Sequence, residues 1–182
     1  NTAIRLQTPS AAHWLGTDEF GRDILARLVH GSRVSLSVGV VAVSIALLIG
    51  GSLGAIAGFY GGKIDNVIMR IMDVGTCVPS ILLALVLLAI LGGSVFNMML
   101  TLTIVSVPGF TTRIRAVLLS VVEQDYVKAA RISGTSTKVL VMRHILPNAL
   151  DPIIVDATMT ISSMLLSAAG LSFIGVGVSP PS

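Results

Sequence analysis

Residues 123–148, EQDYVKAARISGTSTKVLVMRHILPN, form the one long polar stretch in a chain that is otherwise almost continuously apolar. Good helix formers fill residues 125–133, and Gly134 stands where a helix needs a residue that can take positive φ. The two hydroxyl residues after it can cap a second helix, which we expect to end at Pro147 because proline cannot continue a helix as an interior residue. The stretch therefore predicts two short helices with a stop between them, on a water-exposed surface.

This polar stretch is also basic, and the small residues Ala129 and Ala130 lie within it. Small side chains let the backbone of another protein come close, and the surrounding positive charge favours an acidic partner surface. The basic residues of the stretch and its upstream flank are Arg113, Arg115, Lys128, Arg131, Lys138 and Arg143. Because cytoplasmic loops are enriched in Lys and Arg, we expect this loop to lie in the cytoplasm and to serve as a docking surface.

The composition is that of a membrane protein. Of the 182 residues, 53% are hydrophobic and 12% are charged, and the mean hydropathy is +0.91, which excludes a disordered chain or a soluble domain. No basic patch with interleaved aromatic residues is present, which argues against nucleic-acid binding. Cys77 is alone and the histidines are scattered, so we expect no disulfide, no metal site, no bound cofactor and no catalytic group in this chain.

We predict an all-α membrane bundle with four visible spanning helices, at about residues 34–60, 66–91, 96–122 and 151–177. Residues 34–182 would form one transmembrane domain, with residues 123–148 as its cytoplasmic loop. Residues 1–33 would form an external segment with an amphipathic helix at the membrane surface. That helix should be capped by Thr17 or Asp18 and end at Gly31, and its Asp23 should pair with Arg27 at i, i+4.

The first two predicted spans carry residues that suggest how the helices pack. Small residues recur at every fourth position of the first span: Ala46, Gly50, Gly54 and Gly58. Such a stripe lets a second helix approach closely, so we interpret it as a packing seam, although glycine is common in membrane helices generally. In the second span, Arg70 and Asp73 are spaced to neutralise one another at i, i+3.

The third predicted span contains candidates for a transport pathway. Pro108 and Gly109 predict a kink, because proline removes a backbone donor and crowds the preceding turn. Polar positions that include Thr101, Thr103 and Ser106 indicate that one face of the helix lines an aqueous route. We take Ser106 and Pro108 as pathway candidates.

The fourth predicted span opens with Asp151 as a candidate N-cap and Pro152 at the first helical position. Asp156 lies about one turn further in, followed by several Ser and Thr residues that suit a helix facing other helices or a pore. Asp156 is therefore a further pathway candidate. Its alternative role is a helix N-terminal charge near the membrane interface.

The polar stretch resembles the signature cytoplasmic loop of ATP-binding-cassette importer permeases, written EAA, three residues, G, nine residues, I, any residue, LP. The matching positions are Ala129, Ala130, Gly134, Leu146 and Pro147, whereas Lys128 replaces the Glu and His144 replaces the Ile. The resemblance implies that this loop docks into a cleft on an ATPase subunit and passes its motion to the membrane helices. The residues implied to take part are Tyr126, Lys128, Ala129, Ala130, Arg131, Gly134, Leu146 and Pro147.

Two further segments are similar to the dipeptide, oligopeptide and nickel branch of these importers: LGTDEFGRD at residues 15–23 and GLSFIGVGVSPPS at residues 170–182. The resemblance implies a type I importer bundle of about six spans in the whole subunit, in the cytoplasmic membrane of a bacterium or archaeon. It implies a second permease subunit, cytoplasmic ATPase subunits that bind ATP and Mg, and an extracytoplasmic binding protein. The chain itself contains no nucleotide-binding loop.

The function expected from these observations is that of one of two pore-forming permease subunits for di- and oligopeptides. An importer of the same type that carries nickel or a metal chelate is an alternative. A different class, an ion-coupled secondary transporter or channel, would need no docking loop and would rely on Asp73 or Asp156. An intramembrane enzyme or a purely structural membrane subunit are the remaining possibilities.

Overall fold

The computed structural model describes residues 5–174, and within them the regular structure is helical apart from one isolated bridge between Thr17 and Asp23. The helices are α1 Ile24–Tyr60, α2 Gly62–Thr76, α3 Ser80–Leu91, α4 Val95–Val122, α5 Asp125–Ile132, α6 Thr137–Val139, a π-helical turn Leu140–Ile145, and α7 Leu146–Phe173. Helix α1 and helix α4 are each long and apolar enough to cross a membrane, as is the continuous helical stretch Thr137–Phe173. The bent pair of α2 and α3 would be a fourth span.

Residues 5–38 form one compact unit, in which the start of α1 is fixed by polar contacts. Asp23 caps the helix, because its Oδ1 accepts hydrogen bonds from the backbone N–H of Leu25 at 2.9 Å and of Ala26 at 3.3 Å. His13 Nδ1 lies 3.0 Å from the other oxygen of Asp23, and this hydrogen bond is the largest cause that lowers the pKa of Asp23. Arg27 pairs instead with Asp18, at 2.7 Å.

Three expectations for this segment are therefore wrong. The helix cap is Asp23 rather than Thr17 or Asp18, and Asp23 does not pair with Arg27. Gly31 does not end the helix, because α1 runs through it without interruption to Tyr60. The physical reason is that a glycine inside a helix costs only about 1 kcal/mol relative to alanine, and neither Ser32 nor Arg33 breaks the helix before the largely apolar run that begins at Val38.

The second predicted span, residues 66–91, is not one straight helix. It is divided into α2 and α3, which meet at an angle of 76°. Pro79 is the N-cap of α3, with φ −52° and ψ 129°. Proline cannot donate a backbone hydrogen bond and disfavours helical geometry at the residue before it, so the helix breaks here.

Residues 39–174 form the described part of the second compact unit, in which α4 is the central helix. It packs against α2, α3 and α7. Its Phe110, Thr101 and Thr111 are among the largest fully buried side chains of the described residues. Pro108 lies inside α4.

Helix α7 begins earlier than predicted, at Leu146. Asp151 is consequently an interior helical residue and not the N-cap, and Pro152 also lies inside the helix. Pro147 occupies the first turn of α7 rather than ending a helix, since the missing N–H of proline is not needed there. Most of the final segment that resembles the peptide and nickel branch, residues 175–182, lies outside the described residues.

Candidate functional site

The polar stretch at residues 123–148 folds around a glycine stop. Gly134 has φ 78°, and its N–H donates to the carbonyl oxygen of Arg131 at 3.1 Å, while the N–H of Thr135 donates to that of Ala130 at 3.2 Å. These two bonds are the pair that defines a Schellman motif, which satisfies the last carbonyls of a helix. Ser136 is the N-cap residue of α6 but makes no side-chain capping bond, so the cap expected there is absent.

We refer to residues 123–148 as the docking segment. Its predicted contact residues are accessible: Tyr126, Lys128, Ala129, Arg131, Gly134, Leu146 and Pro147 are exposed and Ala130 is partly buried. The apolar Ile132 is 86% exposed, and Met142 is 60% exposed. Exposed apolar side chains rimmed by charge are typical of a surface that another protein covers. The ion pair on this face, Lys128 with Asp125 at 3.8 Å, is exposed and contributes little.

The face of the docking segment opposite its exposed residues packs against the bundle. The apolar side chains that make this contact were not predicted from the sequence to do so. Val127, Leu140 and Ile145 are each at most 2% exposed. Helix α5 and the π-helical turn pack against each other and against α4. One face of the docking segment is thus packed against the bundle, and the opposite face is exposed. A force applied to the exposed face therefore reaches the spanning helices through packed side chains.

The small-residue stripe of α1 lies directly against α4. A Cβ placed on Gly50 would lie 2.7 Å from the carbonyl oxygen of Val107, and one on Gly54 would lie 2.5 Å from that of Thr111. A Cβ on Gly58 would lie 3.0 Å from the carbonyl oxygen of Arg115. Ala46, the fourth member of the stripe, is fully buried. At Gly50 and Gly54 a Cβ would overlap the backbone of α4, and at Gly58 it would make an unusually tight contact, so the stripe allows the two helices to approach closely.

An ion pair joins α2 to α4 next to this seam. Arg115 donates from Nε to Asp65 Oδ1 and from Nη2 to Asp65 Oδ2, so the contact is bidentate. The Asp65 side chain is 13% exposed, and both of its oxygens are satisfied. Sequence reasoning assigned Arg115 to the basic flank of the docking segment and missed this role. The available signal was that an acid beside a membrane helix requires a partner.

A second ion pair joins α4 to α7. Arg113 Nε lies 2.7 Å from Asp156 Oδ1, and Arg113 Nη2 donates to Thr160 Oγ1 at 3.4 Å. The guanidinium also lies over the ring of Phe110, 5.0 Å from its centroid. Asp156 Oδ2 is shielded from solvent and accepts no hydrogen bond from the described residues. The pathway candidate Asp156 is therefore a paired charge between helices in this conformation.

The other polar candidates of α4 behave differently from one another. Ser106 is half-buried, and Pro108 faces Gly75 of α2, where a Cβ would lie 3.0 Å from its Cγ. Thr101 and Thr103 are buried, and Thr103 Oγ1 donates to the carbonyl oxygen of Met99 at 2.8 Å. The expectation that these two threonines line an aqueous face is wrong, because they are packed inside the bundle.

The charges expected to neutralise each other on α2 do not do so. Among the ion pairs of residues 5–174 there is none between Arg70 and Asp73. The acidic residue of α2 that forms an ion pair with an arginine is Asp65, in the first turn of the helix, and its partner is Arg115.

A helical membrane bundle with an exposed segment between two spanning helices is typical of a membrane transport subunit. The chain belongs to the family of binding-protein-dependent transport system inner membrane components, which matches residues 50–182. This membership confirms the resemblance drawn from the docking segment, and it makes the chain a multi-pass membrane component of a transport system.

Several bacterial permeases are similar to this chain. The dipeptide transport system permease protein of Alkalihalophilus pseudofirmus is 48% identical over 181 residues, covering 100% of this chain and 60% of the relative. A probable D,D-dipeptide transport system permease protein of Escherichia coli is 47% identical over 178 residues, covering 98% and 60%. The glutathione transport system permease protein of Pectobacterium atrosepticum is 41% identical over 173 residues, covering 95% and 58%. The chain thus spans about 60% of the length of these relatives.

The fold is similar to that of a solved amino acid ABC transporter described as crystallised with histidines. The TM-score is 0.63 at 22% sequence identity, and the match covers 86% of this chain and 79% of the other. At this identity the similarity concerns the fold alone. It confirms the expected fold class, an all-α bundle of the importer type.

Proposed function

We propose that this chain is part of a permease subunit of an ATP-driven, binding-protein-dependent importer that forms half of the translocation pathway for di- and oligopeptides. The observation that carries the proposal is the docking segment, which is exposed on its outer face and anchored beneath by Val127, Leu140 and Ile145. A segment of this kind can receive the motion of a second protein and pass it to α4 and α7. The peptide substrate is supported by the relatives, whose names specify dipeptide, di/tripeptide and glutathione transport.

The partners follow from the same proposal. Cytoplasmic ATPase subunits bind ATP and Mg and hydrolyse the nucleotide, a second permease subunit completes the pathway, and an extracytoplasmic binding protein delivers the substrate. The residues that contact the ATPase are the exposed members of the docking segment named above. The relatives are bacterial, which supports the bacterial inner membrane and gives no support to an archaeal source.

The nickel alternative is not favoured, because the names of the relatives described above all specify peptide substrates. An ion-coupled carrier gains nothing from an exposed docking segment. Of the two acids on which it would rely, Asp156 is already paired with Arg113.

The experiment is to isolate the full-length subunit from its membrane and identify the proteins that remain bound to it. We expect an ATPase subunit, and we expect Ile132→Asp to release it, since this 86% exposed side chain belongs to the docking face. Lys63→Asp is the matched control, because Lys63 is exposed in the first turn of α2, outside the docking segment. A subunit that binds only copies of itself, yet transports, would contradict the proposal and favour an ion-coupled carrier.

A further inference from the structure

The two arginines of α4 make contacts of different quality with their neighbouring helices. Arg115 satisfies both carboxylate oxygens of Asp65, whereas Arg113 binds only one oxygen of Asp156. The Arg113 and Asp156 side chains are also the more exposed pair, at 46% and 27%. Residues two apart on a helix point in nearly opposite directions, so one contact holds α4 to α2 and the other holds it to α7 on the far side.

The Arg113 contact is incomplete in this conformation. Asp156 Oδ2 is shielded from solvent and accepts no hydrogen bond from the described residues, and a buried acceptor without a partner costs free energy. A conformation in which α7 moves would let this oxygen find a donor. The contact between Arg115 and Asp65 has no comparable deficit, because both carboxylate oxygens are occupied.

Arg113 has a position to occupy on its own helix when it leaves Asp156. Its guanidinium already lies over the ring of Phe110, also on α4, where a cation is attracted to the aromatic face. Gly109, one turn earlier, leaves room for it, since a Cβ there would lie 2.9 Å from Arg113 Nη1. If α7 moved away, the Arg113 charge would therefore keep a favourable contact with the Phe110 ring.

The position of the pair connects it to the docking segment. Helix α4 ends at Val122, directly before the docking segment, and α7 begins within the end of that segment at Leu146. Along their helices, Arg113 lies about 15 Å and Asp156 about 12 Å from the segment, at about 1.5 Å per residue. The pair thus joins α4 and α7, the two helices that flank the docking segment on which the ATPase is proposed to act.

We propose that the Arg113 and Asp156 pair is a latch of the transport cycle: it holds α4 to α7 in the present conformation and opens when the docking segment moves. The Arg115 and Asp65 pair stays closed throughout and keeps α2 moving with α4. Both residues of the latch are positioning residues. The inference rests on the proposed function, because the force that opens the latch comes from the ATPase partner.

The test measures distances between the helices in the complete importer complex. Spin labels are placed through Phe96→Cys on α4 and Phe173→Cys on α7, in a Cys77→Ser background, because Phe96 and Phe173 are 68% and 92% exposed. A second complex carries labels through Phe96→Cys and Val74→Cys, which report on α4 and α2. Pulsed electron paramagnetic resonance measures both distance distributions, first without nucleotide and then with a non-hydrolysable ATP analogue.

We expect the nucleotide analogue to shift the distance between α4 and α7 and to leave that between α4 and α2 unchanged. Without nucleotide, Asp156→Asn should move part of the α4 to α7 distribution to the nucleotide-bound distance. The expected change in the ratio of the two conformers is roughly three- to twentyfold, as for loss of one polar contact between membrane helices. Asp151→Asn is the control: it makes the same chemical change on the same helix, at an exposed position.

The outcomes separate the latch from the proposed function. A complex that takes up peptide and hydrolyses ATP, but whose α4 to α7 distance is unaffected by nucleotide or by Asp156→Asn, overturns the latch and leaves the importer function standing. Equal effects of Asp156→Asn and Asp151→Asn also overturn it. A subunit that has no ATPase partner overturns both proposals.

Discussion

The close approach of α1 to the backbone of α4 at Gly54 gives a quantitative prediction for Gly54→Ala. The added Cβ would lie 2.5 Å from the carbonyl oxygen of Thr111 and 3.1 Å from the backbone nitrogen of Arg115. An ordinary carbon-to-oxygen contact is about 3.3–3.6 Å, so α1 and α4 must separate by roughly 1 Å at this point. Neither atom can yield by rotating a side chain, because both belong to the helix backbone.

The expected loss of stability combines two opposing terms. Overpacking a well-packed interior lowers the free energy of unfolding by about 1–3 kcal/mol, and the better helix propensity of alanine offsets up to about 1 kcal/mol of that loss. The net destabilisation is therefore roughly 0–3 kcal/mol, and its middle value of about 1.5 kcal/mol lowers the melting temperature by roughly 3–6 °C for a chain of this size. Thermal unfolding of the purified subunit in detergent measures it directly.

Two other glycines provide a graded control. A Cβ on Gly51 would meet the tips of two flexible side chains, Ile114 Cδ1 at 3.2 Å and Leu47 Cδ1 at 3.7 Å, and both can move aside. A Cβ on Gly170 meets no atom of the described residues within 4 Å. We expect Gly54→Ala to lower the melting temperature most, Gly51→Ala less and Gly170→Ala least. Equal effects at the three positions would refute the interpretation of the stripe as a packing seam.

Three further predictions concern the docking segment, the fixed ion pair and the start of α1. Gly134→Val should abolish uptake while the protein remains in the membrane, because a β-branched residue resists φ 78° at this stop; full uptake by the variant would contradict the coupling role. Asp65→Asn should lower the free energy of unfolding by about 1–3 kcal/mol, because it removes the charged partner of the partly buried Arg115, and a melting temperature equal to wild type would argue against a fixed contact. The pKa of Asp23 is lowered in the folded protein, so its contribution to stability is present above the ordinary value of 3.8 and is lost as pH falls through the folded pKa. The protection of the Leu25 amide from exchange, relative to the intrinsic rate at the same pH, should therefore fall in acid, and Asp23→Asn, which keeps a capping oxygen, should remove that fall.

Local features of the chain were predictable from the sequence where a single residue type sets the backbone conformation or the closeness of a helix contact. Gly134 stands at a helix stop and takes positive φ, as its position in the polar stretch indicated. The regular spacing of Gly50, Gly54 and Gly58 predicted a close helix contact, although it could not name α4 as the partner. Pro79 could have predicted the break between α2 and α3, but the continuous apolar run around it favoured a single span.

The sequence by itself determined that the chain is a multi-pass membrane protein with one basic polar stretch, because apolar runs long enough to cross a bilayer and clustered charges follow from composition and spacing alone. It also determined the helix stop, which depends on contacts within a few residues, and the glycine stripe, which depends on regular spacing along one helix. Only the tertiary structure decided that Arg113 and Arg115 pair with Asp156 and Asp65, on two different helices. The physical reason is that an ion pair between distant parts of the chain depends on how each helix is rotated and how closely it packs, and neither quantity is fixed by local sequence.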